Sequence, residues 1–141
     1  MKKVFEIDPP SSMGPFCIGM ERREIWGKDR SPIVSYYPNK FSFNRSDDFY
    51  QLGMHLHYDT SDLCCQITAF LDSDSSIKWV FRGIALNGFS MGEVKEMLDG
   101  TGVEYETNEF GYHCRGSRIE FGAYNFDDGD VSLEYVLIYT T

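Results

Sequence analysis

The chain has 141 residues, a formal net charge of −9 and 16% aromatic residues. This length suits one domain with a substantial core, and the aromatic content favours a strand-rich fold. The negative charge argues against nucleic acid as a direct partner, because phosphates repel an acidic surface. No apolar run approaches the roughly 20 residues of a membrane-spanning helix, so we expect no membrane partner.

The start of the chain and the cysteines favour a cytoplasmic protein. Residues 1–8 read as a strand interrupted by two prolines, without the apolar stretch and cleavage site of a secretory signal peptide. Two of the four cysteines are adjacent, a spacing unlike that of small disulfide-stapled secreted domains. We therefore expect reduced, mostly buried thiols. The cysteines are Cys17, Cys64, Cys65 and Cys114.

The first half of the chain predicts a short helix followed by strands. Residues 21–26 have helical spacing, and residues 33–37 predict a strand. Residues 50–58 alternate with period two, and residues 63–71 return as their partner strand after an acidic turn. The alternation predicts one face with Leu52, Met54, Leu56 and Tyr58, and the other with Gln51, His55 and His57.

The second half repeats this plan. Residues 79–86 predict a strand, and a helix follows from Ser90 to Leu98 before two glycines end it. Residues 112–116 and 119–126 predict strands, and residues 131–139 close with strict alternation of apolar side chains. We expect this last strand to offer an apolar sheet edge, which leaves both a monomer and a homodimer open.

The combined pattern predicts an α+β fold, with an antiparallel sheet and two short helices. No linker separates the halves, so we expect a single domain over residues 1–141. Residues 15–71 and 79–139 each read as a helix followed by a strand meander. This similarity is compatible with a tandem repeat.

Residues 88–92 match the G-x-S-x-G pattern of a serine nucleophile elbow, between a predicted strand and a predicted helix. Ser90 also stands three residues before Glu93, which is the spacing of a helix capping box. A cap explains this serine without further chemistry. We therefore favour the cap over a hydrolase, and we expect the protein not to be an enzyme.

His55 and His57 share one predicted strand face, so both imidazoles could reach one metal ion. Neither the paired cysteines nor the histidines have the ligand spacing of known zinc motifs. The glycines are scattered singly, so the chain contains no phosphate-binding or dinucleotide-binding fingerprint. We expect no metal and no cofactor.

A resemblance to a known group of proteins rests on residues 18–25, 53–67, 83–86 and 94–98. These segments resemble small cytosolic immunity proteins, which protect bacteria against polymorphic toxins such as the effectors of contact-dependent growth inhibition. The resemblance implies a non-enzymatic inhibitor that binds the C-terminal domain of a cognate toxin, often a nuclease. An acidic protein would suit the basic cleft of a nuclease, because opposite charges speed association.

Acidic turns with neighbouring aromatic side chains are the candidate toxin-binding sites. Aromatic anchors with a charged rim are typical of protein interfaces, and we expect the repeat to bring these turns to one edge of the sheet. The alternative is a general protein- or ligand-binding adaptor without a toxin partner, in which these turns are only solvated. The candidate residues are Asp47, Asp48, Tyr50, Asp59, Asp62, Tyr124, Asp127, Asp128 and Asp130.

Overall fold

The structure, a computed structural model, describes residues 3–40, 44–71, 76–126 and 131–140. Within these residues two helices pack with two sheets, which confirms the predicted α+β class. The helices are α1 (Arg22–Lys28) and α2 (Met91–Thr101). The small sheet contains β1 (Lys3–Asp8), β2 (Ser12–Met13), β3 (Phe16–Cys17), β8 (Ile77–Phe81) and β9 (Ile84–Ala85). The large sheet contains β4 (Val34–Tyr36), β5 (Ser46–Phe49), β6 (Met54–Tyr58), β7 (Cys64–Phe70), β10 (Glu106–Thr107), β11 (Gly111–Cys114), β12 (Ile119–Gly122) and β13 (Tyr135–Tyr139).

Both predicted helices are present, and α2 has the predicted cap. The Ser90 Oγ atom accepts a hydrogen bond from the Glu93 backbone N–H at 3.1 Å. The Glu93 carboxylate accepts one in return from the Ser90 backbone N–H at 3.0 Å. The helix ends at Gly102, whose φ of +70° is a conformation that glycine adopts without side-chain strain. The capping-box interpretation of Ser90 is therefore confirmed.

The large sheet is antiparallel, and its strand order is β10-β11-β12-β13-β7-β6-β5-β4. In the first half α1 is followed by β4 to β7, and in the second half α2 is followed by β10 to β13. The order is therefore symmetric about the contact between β13 and β7, the last strand of each half. Each half of the chain has the helix-plus-meander order that the sequence pattern predicted.

The small sheet joins the beginnings of the two halves. Its order is β3-β2-β1-β8-β9, and β1 pairs with β8 in parallel while the other neighbours are antiparallel. The prediction of one strand over residues 79–86 is wrong in detail, because the chain turns back there. Arg82 and Gly83 both have positive φ, at 50° and 80°, as a tight hairpin turn requires.

Within the part of the chain that the structure describes, one core lies between the two sheets and the helices. It takes side chains from both halves, including Trp79 and Phe16 from the small sheet and Val94 from α2. The large sheet contributes one face, on which Met54 and Val136 are fully buried. Because the same apolar cluster spans both halves, neither half has a separate core.

Two predictions about strands are corrected. The strand predicted over residues 50–58 begins only at Met54, since residues 50–53 form the turn after β5. The closing strand is not a sheet edge: β13 lies between β12 and β7, near the middle of the large sheet. Both edges of β13 are therefore paired within the chain, and the predicted apolar sheet edge at this strand is wrong. Strand β5 was missed because its Ser-Asp-Asp sequence has low strand propensity.

The four cysteines are free, as predicted. Cys64 and Cys114 are buried, whereas Cys65 is half-buried and Cys17 is exposed, so burial of the thiols is only partial. Burial raises the pKa of the Cys64 thiol to about 12 and that of Cys114 to about 11. None of the helices in the described part of the chain is long and apolar enough to cross a membrane.

Candidate functional site: the open face of the large sheet

The large sheet has one face in the core and a second face that lies outside it, which we call the open face. Residues directly opposite each other on neighbouring strands point to the same side of a sheet. The pairing confirms that Met54, Leu56 and Tyr58 face the core, while His55 and His57 face away. One row of the open face crosses the whole sheet, in the order Val34, Asp48, His55, Thr68, Leu137, Glu120, His113 and Glu106.

This row carries one histidine with neighbouring carboxylates in each half of the sheet. His55 Nε2 lies 3.2 Å from the Asp48 carboxylate. His113 Nδ1 lies 3.5 Å from Glu106 and 3.8 Å from Glu120. The side chains of Asp48, His55 and Glu120 are between 29% and 31% exposed to solvent, so they lie at the surface. The open face is consequently acidic on both sides of its centre.

Each histidine of the open face also has a hydroxyl partner. His55 Nδ1 shares a hydrogen bond with the Tyr36 hydroxyl at 2.9 Å, and His57 Nδ1 shares one with Ser46 at 2.6 Å. Burial, with a smaller contribution from His55, lowers the pKa of His57, so its neutral form is favoured. Among the residues that the structure describes, no three His, Cys, Asp or Glu side chains are grouped as metal ligands.

Aromatic rings form a stripe across the centre of this face, which we call the aromatic stripe. It consists of Tyr36, His55, Phe70, Tyr135 and Tyr124. The ring centroids of Tyr36 and His55 are 5.7 Å apart, and those of His55 and Phe70 are 4.8 Å apart. Phe70 is the cross-strand partner of Tyr135, whose ring lies 5.4 Å from that of Tyr124. The stripe therefore connects the two halves of the sheet.

The aromatic stripe lines a groove of about 370 Å³ on the open face. The other residues of its wall are His57, Gln66, Thr68, Phe110 and Leu137, and none of the lining residues is lysine or arginine. Apart from Phe110 and Tyr124, which lie in loops, all of these residues are on strands, so no helix contributes to the wall. A groove with this wall can take an apolar, aromatic or cationic group.

Asp47, the first predicted toxin-binding residue, faces the other side of the sheet. Its side chain is fully buried under α1, where the Arg22 guanidinium donates to the carboxylate at 2.8 Å. Ser35 and Tyr58 donate hydroxyl hydrogen bonds at 2.7 Å, and the Trp26 indole donates at 2.8 Å. We call this group the Asp47 anchor. It attaches α1 to the sheet and leaves no free oxygen at the surface.

The charge on Asp47 is stabilised where it lies. Burial raises the pKa of its carboxyl, but the hydrogen bonds from Arg22, Ser35, Tyr58 and Trp26 together lower it below the ordinary value. The bond to Asp47 correspondingly raises the pKa of the Arg22 guanidinium. The Arg22 guanidinium also lies 4.9 Å from the ring centroid of Trp26, a cation–π contact. Asp47 is therefore an internal ion-pair partner and not an exposed acidic group.

The other predicted residues do not gather at one edge. Asp48 lies on the open face. Tyr124 borders the same face and is 61% exposed. Tyr50 is 52% exposed at the same end of the sheet as Tyr124, since both follow strands that run in the same direction. Asp59 and Asp62 belong to the turn after β6, which lies at the opposite end. Three further predicted residues, Asp127, Asp128 and Asp130, lie outside the described residues.

The turn at Asp59 has a structural explanation. The Asp59 carboxylate accepts hydrogen bonds from the backbone N–H groups of Ser61 at 2.8 Å and Leu63 at 3.1 Å. Asp62 has a φ of 59°, a conformation that aspartate tolerates better than most residues. These two acids therefore shape the β6–β7 hairpin. They lie far from the aromatic stripe, so the expectation that all the candidate turns lie at one edge of the sheet is wrong.

Several residues of the open face were not among the candidates from sequence. Phe70, Leu137 and Glu120 lie on strands that the apolar pattern did locate. The alternation of Tyr135, Leu137 and Tyr139 was visible, but these side chains take the open face while Val136 and Ile138 enter the core. The available signal was that β13 is apolar on both faces. One face of such a strand must contact something other than the core of the protein.

The comparisons with known proteins do not extend these observations. Neither a protein-family model, nor a curated protein, nor a solved structure matches the chain. The functional argument consequently depends on the geometry of the open face and on the resemblance of the short sequence segments.

Proposed function

We propose that this protein neutralises a toxin domain by binding it with the open face, without chemistry of its own, in the cytoplasm of the producing cell. The observation that supports this proposal best is the position of the aromatic stripe. It lies across the centre of a sheet face that the described residues leave outside the core. Clustered aromatic rings at the centre of a surface are the usual anchors of protein interfaces.

The size of the open face suits a protein partner. Eight strands at about 4.8 Å spacing make a sheet roughly 34 Å wide, and its strands, which run from the two residues of β10 to the seven of β7, are about 7 to 24 Å long. Together with loops such as the one that contains Tyr124, the area of the open face approaches the roughly 800 Å² that each partner buries in a standard protein interface. A small ligand would use only the groove.

The charge of the open face suits a basic partner. Asp48, Glu106 and Glu120 lie in one row, and Arg115 pairs with Glu106 at the end of that row. The whole chain has a net charge of −9, so the long-range attraction of a basic domain adds to the local effect. Fast capture is useful to an inhibitor that must bind a toxin before the toxin acts.

The structure narrows the residues that we include in the interface. We keep Asp48 and Tyr124, and we add the rest of the aromatic stripe together with Glu120. Asp47 is left out because its carboxylate is buried in the Asp47 anchor. Asp62 is left out because it lies at the far end of the sheet.

The proposal is tested by isolating the partner from the native host and then rebuilding the pair from purified components. We expect one basic polypeptide at a 1:1 ratio, whose toxicity in a test strain disappears when this protein is co-expressed. The double variant Asp48→Asn/Glu120→Gln should lower the association rate about tenfold at low salt, and high salt should remove that difference.

Asp62→Asn is the matched control for the single variant Asp48→Asn, because it removes the same charge at the opposite end of the sheet. It should leave the association rate within about twofold of the wild-type rate. Several weak partners would instead favour a general adaptor. If the open-face substitutions and Asp62→Asn change the association rate equally, binding by the open face is contradicted.

A further inference from the structure

The groove at the centre of the open face combines two properties that together specify a ligand. Its wall is mostly aromatic, with Tyr36, Phe70, Tyr135 and Tyr124 around about 370 Å³ of space. Among the described residues, its wall contains no lysine or arginine, although the chain has 13 of these residues. The faces of aromatic rings carry partial negative charge, so such a wall attracts cations once water is displaced.

Carboxylates flank the groove on both sides. Asp48 is the cross-strand partner of His55, and Glu120 is the cross-strand partner of Leu137, so each acid stands next to a lining residue. Glu120 also lines a small cavity of about 40 Å³ that shares Phe110 and Tyr135 with the groove. Four strand spacings separate the two acids, or about 19 Å, which leaves the groove residues of β6, β7 and β13 between them, with Tyr36 of β4 beyond Asp48.

The tyrosines in the groove respond to this negative field. Burial raises the pKa of Tyr135 to about 12, and Glu120 is the next largest cause. Burial also raises the pKa of Tyr36, followed by the charge of Asp48. The hydroxyls therefore stay protonated and neutral, and the potential that opposes their ionisation would favour a positive group in the same space.

We propose that the groove receives an arginine side chain of the protein partner, which rests on the proposed function. The methylene groups of arginine would pack on the rings, and the planar guanidinium would stack on a ring face. Asp48 and Glu120 would attract the cation without having to contact it. An acidic side chain would be repelled, and an apolar one would gain nothing from the two carboxylates.

The isolated protein can test this assignment without any toxin. The ¹⁵N-labelled full chain is titrated with Nα-acetyl-arginine methylamide and, separately, with Nα-acetyl-citrulline methylamide, which has a similar shape and no charge. The titration is made at about pH 8, above the ordinary histidine pKa of about 6.5. We expect the arginine probe to shift the amide signals of Phe70, Tyr135 and Leu137, with an affinity at least about fivefold higher than that of the citrulline probe.

Two aromatic substitutions separate the groove from general surface binding. Tyr124→Leu removes an exposed ring of the stripe without disturbing the core, and it should weaken binding of the arginine probe about threefold. Tyr50→Leu removes a similarly exposed ring outside the groove and should leave the affinity unchanged. Equal binding of both probes, shifts scattered over the surface, or equal effects of the two substitutions would overturn the assignment.

The outcome can be distinguished from that of the proposed function. If the groove prefers the arginine probe but no toxin partner is found, the arginine site stands and the immunity function fails. If a toxin is neutralised through the open face while the arginine probe shows no preference over citrulline, the function stands and the arginine site fails.

Discussion

The two halves of the chain have the same layout, but they attach their helices to the sheet by different chemistry. In the first half the Asp47 anchor joins α1 to β5 through a buried carboxylate and the guanidinium of Arg22. In the second half the first residue of α2, Met91, places its Cε atom beside Gly111 of β11. Met91 is a buried apolar side chain, with an exposed fraction of 0%.

This difference shows that one layout tolerates either a polar or an apolar attachment. A buried ion pair contributes little net stability over a well-packed apolar contact, because both charges lose their hydration. Its directional hydrogen bonds instead define one geometry for the groups that they connect. In the first half those groups come from α1, β4, β5 and β6, so the Asp47 anchor holds four elements in register.

The largest expected effect comes from breaking the Asp47 anchor. Asp47→Ala leaves the Arg22 guanidinium, the Trp26 indole and the Tyr58 hydroxyl without their shared acceptor. We expect the free energy of unfolding to fall by about 4 kcal/mol, measured by denaturant titration. The control Asp62→Asn should change it by less than about 0.5 kcal/mol. A loss below about 1 kcal/mol for Asp47→Ala would mean that the anchor is not a stabilising unit.

The apolar attachment of the second half should be somewhat less sensitive. Met91→Ala removes a fully buried side chain at the start of α2, and we expect a loss of about 3 kcal/mol in the free energy of unfolding. Met91→Leu keeps the volume and should cost less than about 1.5 kcal/mol. If both substitutions cost the same, the contact depends on more than buried apolar volume.

Acid should weaken the Asp47 anchor. The pKa of Asp47 in the folded protein lies below its ordinary value of 3.8, so the folded state binds this proton less readily than the unfolded chain. The stabilisation by the charged form is therefore present above about pH 4 and is lost as the pH falls through the folded pKa. The stability difference between the wild type and Asp47→Asn should be constant from pH 7 to pH 5 and shrink below pH 4. A constant difference at all pH values would contradict this assignment.

The smallest effects concern the helix caps. Ser90→Ala removes the hydroxyl that caps α2, and we expect a loss of about 1 kcal/mol, whereas Ser90→Asp should restore it. In α1 the Glu24 carboxylate accepts a longer bond of 3.4 Å from the Glu21 backbone N–H, so Glu24→Ala should cost less than Ser90→Ala. The reverse order would indicate that the cap of α1 contributes more to stability than the cap of α2.

The periodicity of the sequence predicted much of the fold. The helices at residues 21–26 and 90–98 were visible from their spacing and caps, and most strands of the large sheet were visible from their alternation. Strand β5 and the two-residue strands of the small sheet were not visible in the sequence pattern. Short or polar segments become strands only when a neighbouring strand supplies hydrogen bonds.

The candidate site was harder to predict than the fold. Asp48 and Tyr124 were chosen as acidic and aromatic residues near turns, and both border the open face. Asp47 has the same side chain as its neighbour Asp48 and points into the core, because successive residues of a strand face opposite sides. Sequence alone could not assign the two faces of β5 without knowing which side α1 covers.

The amino-acid sequence by itself determined the α+β class, the two helices and the plan of a helix followed by a strand meander in each half. These properties arise from local periodicity and capping, which involve residues close together in the chain. Only the tertiary structure decided that β13 lies next to β7 and that Phe70 meets Tyr135. It also decided that Asp47 pairs with Arg22, 25 positions away. Such contacts depend on how whole elements pack, since cross-strand register and helix placement are collective and no single segment encodes them.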